Sequence, residues 1–280
     1  MNSIKNRFIV VLLSFAMVLS LAACSQSQTA EDGITQAQTA APTESSSTQA
    51  QTTAPEADSS ALSYSITDGE VTITDCNTLA SGEMRIPSKI EGCPVTKIGQ
   101  GSFEDCSGLT IVTIPDSVTS IGSRAFQDCS GLTNLTIPNS VTDIGAYAFE
   151  GCTGLASVMI PDSVTIIVPD TFAGCTGLTS VTLPDTLTSI GSYAFAFCDS
   201  LTSVAIPDSV TFIGDGAFAG CTGLESVIIP DSVTSICASA FYKCSNLKDV
   251  YYNGTENRWS SINIDSDNEC LIGATIHFGS

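Results

Sequence analysis

The chain has 280 residues, with 29 acids against nine bases, a formal charge of −20 and a mean hydropathy of +0.27. No Lys or Arg falls between Arg124 and Lys243, which argues against nucleic acid as a partner, because phosphate neutralisation supplies most of that affinity. A basic partner or a neutral glycan suits this charge better.

Lys5 and Arg7 precede the apolar stretch Phe8 to Leu19, and Leu21-Ala22-Ala23-Cys24 follows. This is the layout of a secretory signal ending in small residues. The cysteine placed directly after Leu-Ala-Ala resembles the bacterial lipobox, in which the thiol is acylated and the peptide cut just before it. Residues 1–23 are therefore expected to be a lipoprotein signal peptide and Cys24 a lipidation site holding the chain to a membrane. An ordinary secretory signal cut elsewhere and an uncleaved anchor are the other readings, although the stretch is shorter than the roughly 20 apolar residues of a spanning helix. Cleavage would leave seven bases against 29 acids, a charge of −22.

Residues 24–61 are almost wholly Ser, Thr, Gln, Ala and Pro with a few acids, as in Ala41-Pro42-Thr43-Glu44-Ser45. With no apolar periodicity to bury, a lipid-anchored disordered stalk is expected. As a flexible coil it would reach roughly 30 to 40 Å.

The segment 62–102 reads as an N-terminal cap with a first irregular repeat. Tyr64 to Ile73 has the pattern of a hairpin turning at Asp68-Gly69. Met84 to Gly99 looks like one repeat with an enlarged loop at Lys89 to Pro94.

From 103 to 247 the chain repeats itself every 23 residues. Phe103, Phe126, Phe149, Phe172, Phe195, Phe218 and Phe241 mark the beat, each followed three residues later by a cysteine and three later again by a leucine. Repetition this strict predicts a solenoid. Leu109-x-x-Val112-x-Ile114 is a strand with Val112 and Ile114 inward. Pro115 and its counterparts stop that strand, since proline cannot donate to a ladder. Asp116-Ser117 turns the chain into a second short strand ending at Ile121-Gly122, and Ala125 to Cys129 is expected to form a helical turn that drops Phe126 into the core. No coil can bury its apolar residues alone, so stability must come from stacking and from caps. Residues 248–280 break the register and are expected to cap the far end, with Trp259 and Ile276-His277-Phe278 closing the last coil.

The motif Cys-x-x-Leu-x-x-Val-x-Ile-Pro-x-x-Val-x-x-Ile-Gly-x-x-Ala-Phe resembles the BspA-like, or Treponema pallidum type, leucine-rich repeat, over about residues 64 to 280. The resemblance implies a leucine-rich-repeat solenoid of stacked 23-residue coils with parallel β-sheets and short helical turns, capped at both ends. Members of that family are bacterial and protozoan surface proteins, some implicated in adhesion to host matrix proteins or other bacteria. The resemblance therefore implies an exported, non-enzymatic module on the outer face of the membrane or at the cell surface, binding an extracellular protein or glycan, expected to be monomeric. The alternative is a structural or accessory envelope protein without a ligand of its own.

The twelve cysteines read as a ladder. Stacked coils would bring adjacent thiols close, yet parallel Cα–Cβ vectors fit poorly with a disulfide dihedral near 90°, so the seven periodic cysteines are expected to be buried thiols that fill the core. Cys76 with Cys93 is the one pair worth considering as a bridge; Cys237 and Cys270 are expected free. No ligand cluster suggests a metal, and no cofactor is implied. A single histidine, placed in a cap, and acids spread along the surface offer no catalytic constellation.

Residues common to every repeat are explained by stacking, so specificity must lie in the outward columns. The first strand shows mostly hydroxyl-bearing outward residues, interrupted by Met159, Ile228 and Tyr251, and is either a solubilising surface or a shallow recognition sheet. The second shows Ser120, Asp143, Ile166, Ser189, Phe212 and Ser235, with Val168-Pro169 replacing Gly-Ser in one coil. Ile166, Val168 and Phe212 either pack locally or form an apolar contact patch. The Asp column Asp116, Asp162, Asp185, Asp208 and Asp231 suits turn capping, with calcium as the alternative.

Overall fold

The computed structural model describes residues 59–279, so the expected signal peptide, Cys24 and nearly all of the stalk lie outside the described residues. The described chain opens with the antiparallel pair Leu62–Thr67 and Glu70–Cys76. Asp68 and Gly69 join the two strands at φ 54° and 79°, the left-handed pair that a two-residue hairpin requires. The segment expected as an enlarged loop is a second tight hairpin, Lys89–Ile90 against Cys93–Ile98, with Glu91 and Gly92 at φ 51° and 82°. Cys76 and Cys93 remain free thiols.

Each coil then carries two short strands, which pair in parallel with those of neighbouring coils at all but two interfaces. The first strands run from Gly82–Arg85 through Leu109–Thr113 and onward to Asp249–Tyr252 and Thr275–Phe278. The second strands run from Cys93–Ile98 through Ser120–Ile121 to Asn263–Ile264. Matched residues lie 23 apart across the regular coils, as in Ser189 with Phe212 and Ile190 with Ile213. Inward alternation buries Val112 on the first strand, Ile114 just past its end and Ile121 on the second. The Pro-Asp turn closes on itself, Val118 N–H donating to Pro115 O at 3.0 Å. The next residue ties it to the coil before: Ser140 Oγ donates to Val118 O and Ser232 Oγ to Val210 O, at 2.6 and 2.7 Å.

The expected helical turn after the second strand is realised as successive i→i−3 turns, interrupted by left-handed residues. Ala125 N–H donates to Gly122 O and Gln127 N–H to Arg124 O, while Arg124, Phe126 and Asp128 donate instead to Ala146, Ala148 and Glu150 of the next coil. Two columns of positive φ result. One contains Gly101, Arg124, Tyr147, Asp170, Tyr193, Gly216 and Ser239; the other Asp105, Asp128, Gly151, Gly174, Phe197, Gly220 and Lys243. This third ladder forms a loop face beside the two sheets.

The core is a set of columns. The seven phenylalanines are fully buried and stack with centroids 4.8 to 5.5 Å apart and planes within 16°. The periodic cysteines beside them are buried and free. At the far end Tyr252 is buried and meets Trp259 and Phe278 edge-on, at 5.2 and 6.4 Å. Trp259 ends the helix Glu256–Trp259, whose N-cap Thr255 accepts from Arg258 N–H.

The stack contains one joint. Both sheets are interrupted between the coil of Asn134–Thr136 and Asp143–Ile144 and the coil of Ser157–Met159 and Ile166–Ile167. Val168 marks the place on the second sheet. The column is glycine in most coils, where the preceding coil approaches closely: a Cβ on Gly145 would lie 2.3 Å from Ser123 N, and one on Gly214 2.7 Å from Ser192 N. The smaller Cys237 in the same column keeps its bond to Ile213 O at 2.9 Å, so it is the branched valine followed by Pro169, and not the mere loss of glycine, that coincides with the break. Gly145, Gly191 and Gly214 each donate N–H to the preceding isoleucine, at 2.8 Å, and no such bond links Val168 to Ile144 among the described residues. The loop-face bond from Tyr147 N–H to Pro169 O stretches to 3.4 Å, while Phe149 N–H to Thr171 O holds at 2.9 Å. Buried Thr171 replaces the usual alanine of this column and donates its hydroxyl to Val168 O at 2.7 Å.

Candidate binding surfaces

The six expected surface residues fall on two sheets and form three separate places. Ile166 and Phe212 flank Ser189 on adjacent second strands, 50% and 41% exposed, with half-buried Val168 at the edge of this patch. Ile228 and Tyr251 are register partners on adjacent first strands, and Tyr251 continues to His277. Met159, 68% exposed, pairs with Thr182 and is not brought to either group.

Tyr251 and His277 stack with centroids 4.7 Å apart and planes at 15°, and His277 Nε2 lies 2.7 Å from Asp249 Oδ1. Ile228, Tyr251 and His277 thus make a continuous outward ridge at the C-terminal end. The sequence reading placed His277 in the cap; the 26-residue step from Tyr251 hides its membership of this column.

The loop face adds residues that sequence reasoning missed. Tyr193, Phe197 and Tyr242 are exposed there. Tyr193 lies against Gly216 of the next coil, where a Cβ would meet its Cε1 at 2.4 Å, and Phe197 lies against Gly220, where a Cβ would meet its Cδ1 at 2.6 Å. The signal was present: Phe197 breaks a column that otherwise reads Asp, Asp, Gly, Gly, Gly and Lys. Arg124 covers the Tyr147 ring at 5.4 Å and Lys243 the Tyr242 ring at 5.2 Å.

Acids border this face. Burial raises Glu150 above the ordinary carboxylate range, and the charges of Asp128 and Asp170 add to the effect. Burial also raises Asp170, opposed by a hydrogen bond with the Tyr147 side chain. Among the described residues no three His, Cys, Asp or Glu gather as a metal site. Of the Asp turn column, Asp231 pairs with Arg258 of the cap helix. No helix among the described residues is long and apolar enough to cross a membrane.

The family model for the BspA type leucine rich repeat region matches residues 77–175 and 142–263, in six copies. Among solved structures, the T. pallidum leucine rich repeat protein (TpLRR) is similar at 28% identity and a TM-score of 0.64, over 80% of this chain and 99% of that one. A leucine rich cell surface protein from Faecalibacterium prausnitzii A2-165 is 30% identical over 65% of this chain and 62% of that one, with a TM-score of 0.38. A leucine-rich repeat protein from Bacteroides ovatus is 26% identical over 78% of this chain and 70% of that one, with a TM-score of 0.44. No match is found among curated proteins.

Proposed function

The chain belongs to the BspA-type leucine-rich-repeat family, and from that premise we propose that its solenoid is a non-enzymatic module for binding or adhesion to a protein or glycan outside the cell. The observation that carries this reading is the division of labour within each coil. The inward columns are spent on stacking, while outward columns of short hydroxyl and acidic residues are interrupted by exposed Met159, Ile166, Phe212 and Tyr251. A shallow, rigid surface with a few large apolar anchors is how repeat proteins present a recognition face.

Export and anchoring follow from the signal-like residues 1–23 and from Cys24 as the acylated residue. Cys24→Ser is expected to move the protein from the membrane fraction to the medium. Retention of the variant in the membrane fraction would reject the lipid anchor.

Binding is tested by screening the purified chain against immobilised matrix proteins and glycans. Saturable binding that falls with Ile166→Ser and Phe212→Ser, or with Tyr251→Ser and Ile228→Ser, supports the reading and says which sheet carries it. A blank screen favours a structural envelope role.

A further inference from the structure

On the loop face, two aromatic rings carry a cation of the chain and two do not. Arg124 covers Tyr147 and Lys243 covers Tyr242. Between these two capped rings lie Tyr193 and Phe197, 45% and 57% exposed, in the stretch of chain that contains no Lys or Arg. Their own coil and its neighbours supply only carboxylates. Tyr193 N–H donates to Asp215 O at 2.8 Å, which sets Asp215 beside it on the next coil, and Asp170 N–H donates to Ser192 O on the coil before. Asp199 follows Phe197 by two residues and accepts from the Thr222 hydroxyl.

The backing of these rings is equally specific. Gly216 and Gly220 occupy the two left-handed columns on the next coil, at φ 59° and 75°, and each meets a ring where a Cβ would clash. Tyr193 and Phe197 are themselves held at φ 54° and 59°, a conformation that is uncommon for bulky residues and unfavourable beside glycine. Backbone preference alone would favour Gly or Asn here, and glycine does occupy these columns at Gly101, Gly151, Gly174, Gly216 and Gly220.

We infer that Tyr193 and Phe197, with Asp199 on their own coil and Asp215 on the next, form a ledge that receives lysine or arginine side chains from a cationic polypeptide segment. Aromatic faces attract such cations, most strongly when flanking acids hold the charge nearby. The choice of a polypeptide rests on charge complementarity: the ledge is acidic and aromatic, and at Tyr147, the counterpart of Tyr193 two coils earlier, the molecule seats its own Arg124 over the ring. This goes beyond the sheet-borne reading above, because the ledge is on a different face of the coil. Variants at Ile166 and Phe212 leave it untouched, so the two ideas fail separately.

The test uses the purified full chain and an N-acetylated, amidated Gly-Arg-Gly-Lys-Gly-Arg-Gly peptide, with a neutral counterpart carrying citrulline for arginine and glutamine for lysine. Calorimetry is expected to show binding of the cationic peptide, little binding of the neutral one, and a loss of about five- to tenfold for Tyr193→Gly with Phe197→Gly. The glycine variants relieve the left-handed strain, so their melting temperature should be unchanged or higher; Tyr193→Asn with Phe197→Asn is the second pair, since Asn also tolerates this conformation. The loss should persist in 0.5 M salt, which screens the general acidic attraction. Equal peptide affinity in parent and folded double variants would overturn the inference. So would tighter binding of a neutral hexasaccharide than of the cationic peptide, lost in the same variants.

Discussion

Phe149 O accepts two hydrogen bonds, from Cys152 N–H of its own coil at 3.2 Å and from the Cys175 thiol of a later coil at 3.2 Å. The same arrangement recurs at Phe126 with Cys152 and at Phe195 with Cys221, so each ladder cysteine from Cys129 onward both fills the core and satisfies the second lone pair of a buried carbonyl. Cys175→Ala should therefore cost roughly 1 to 3 kcal/mol, from lost packing and a lost bond, read as a shift in the denaturation midpoint. Burial pushes Cys129, Cys175 and Cys221 up to about 12 from the ordinary 9. A folded-state value that is raised gives stability that is complete below about pH 9 and is lost as the pH climbs toward 12. Each such thiol should withdraw about 1.4 kcal/mol per pH unit in that window, so the melting temperature should drop steeply above pH 9 and less steeply in Cys175→Ala. Native-state alkylation should reach half-buried Cys93, Cys237 and Cys270 well before the ladder; equal labelling rates for all would refute the buried-ladder account. Glycine shows a comparable contrast. Gly145→Ala drives a Cβ to 2.3 Å from backbone, whereas Gly69→Ala meets open space and suffers only from its φ of 79°. The first should cost several times the roughly 1 kcal/mol expected of the second.

The phenylalanine column is the element that holds every coil to the next, because it continues where both sheets stop: Phe149 and Phe172 remain 5.2 Å apart across the joint. Phe172→Ala removes a ring with a stacked partner on each side and should cost roughly 3 to 5 kcal/mol. Phe172→Leu should cost less, and calorimetry that ranks the two alike would mean that the stack contributes volume alone. This column was legible in the sequence, as were the cysteine and leucine columns and the alternation of the strands, because a 23-residue period fixes residue type wherever packing is repetitive. The loop ladder was not. Arg124, Tyr147, Asp170, Tyr193, Gly216 and Ser239 share one left-handed conformation without sharing a residue type, since backbone bonds to the next coil impose it. A sequence rule built on glycine sees only some members of that column, and it therefore missed Tyr193 and Phe197 on the surface that those bonds create. The candidate patch was legible as a departure from a polar rule at Ile166 and Phe212, and its separation from the first-strand residues was legible too; the pairing of the strands added that Met159 stands apart from Ile228 and Tyr251 and that His277 joins them.

At the scale of the molecule, a solenoid's stability is close to a sum of coil terms and interface terms, so one weak interface has consequences along the whole length. The interface before Val168 lacks paired strands on both sheets and depends on the phenylalanine stack, the Cys175 thiol bond, the turn bond from Ser163 Oγ to Val141 O and the loop-face bonds at Tyr147, Phe149 and Gly151. A second interface, between Ser180–Thr182 and Ser203–Ala205, loses only the first-strand pairing, since Ser189 and Phe212 still pair on the other sheet. It serves as an internal control. Local opening should begin at the first interface, and hydrogen exchange should be faster for amides of 165–168 than for the matching amides of 188–191 and 211–214. Val168→Gly with Pro169→Ser restores the regular dipeptide, lets the coil approach to the distance seen at Gly145 and Gly191, and allows the bond to Ile144 to form. That variant should gain roughly 1 to 2 kcal/mol, slow exchange at 165–168 to the level of its neighbours, and sharpen the denaturant transition if the parent unfolds in two blocks. Unchanged exchange at 165–168 in the restored variant would show that the interruption has a cause other than the valine side chain. Because Val168 adjoins exposed Ile166, the same variant should also be measured for binding: a tighter stack with weaker binding would mean that the joint shapes the apolar patch, whereas a tighter stack with unaltered binding would assign Val168 to architecture alone.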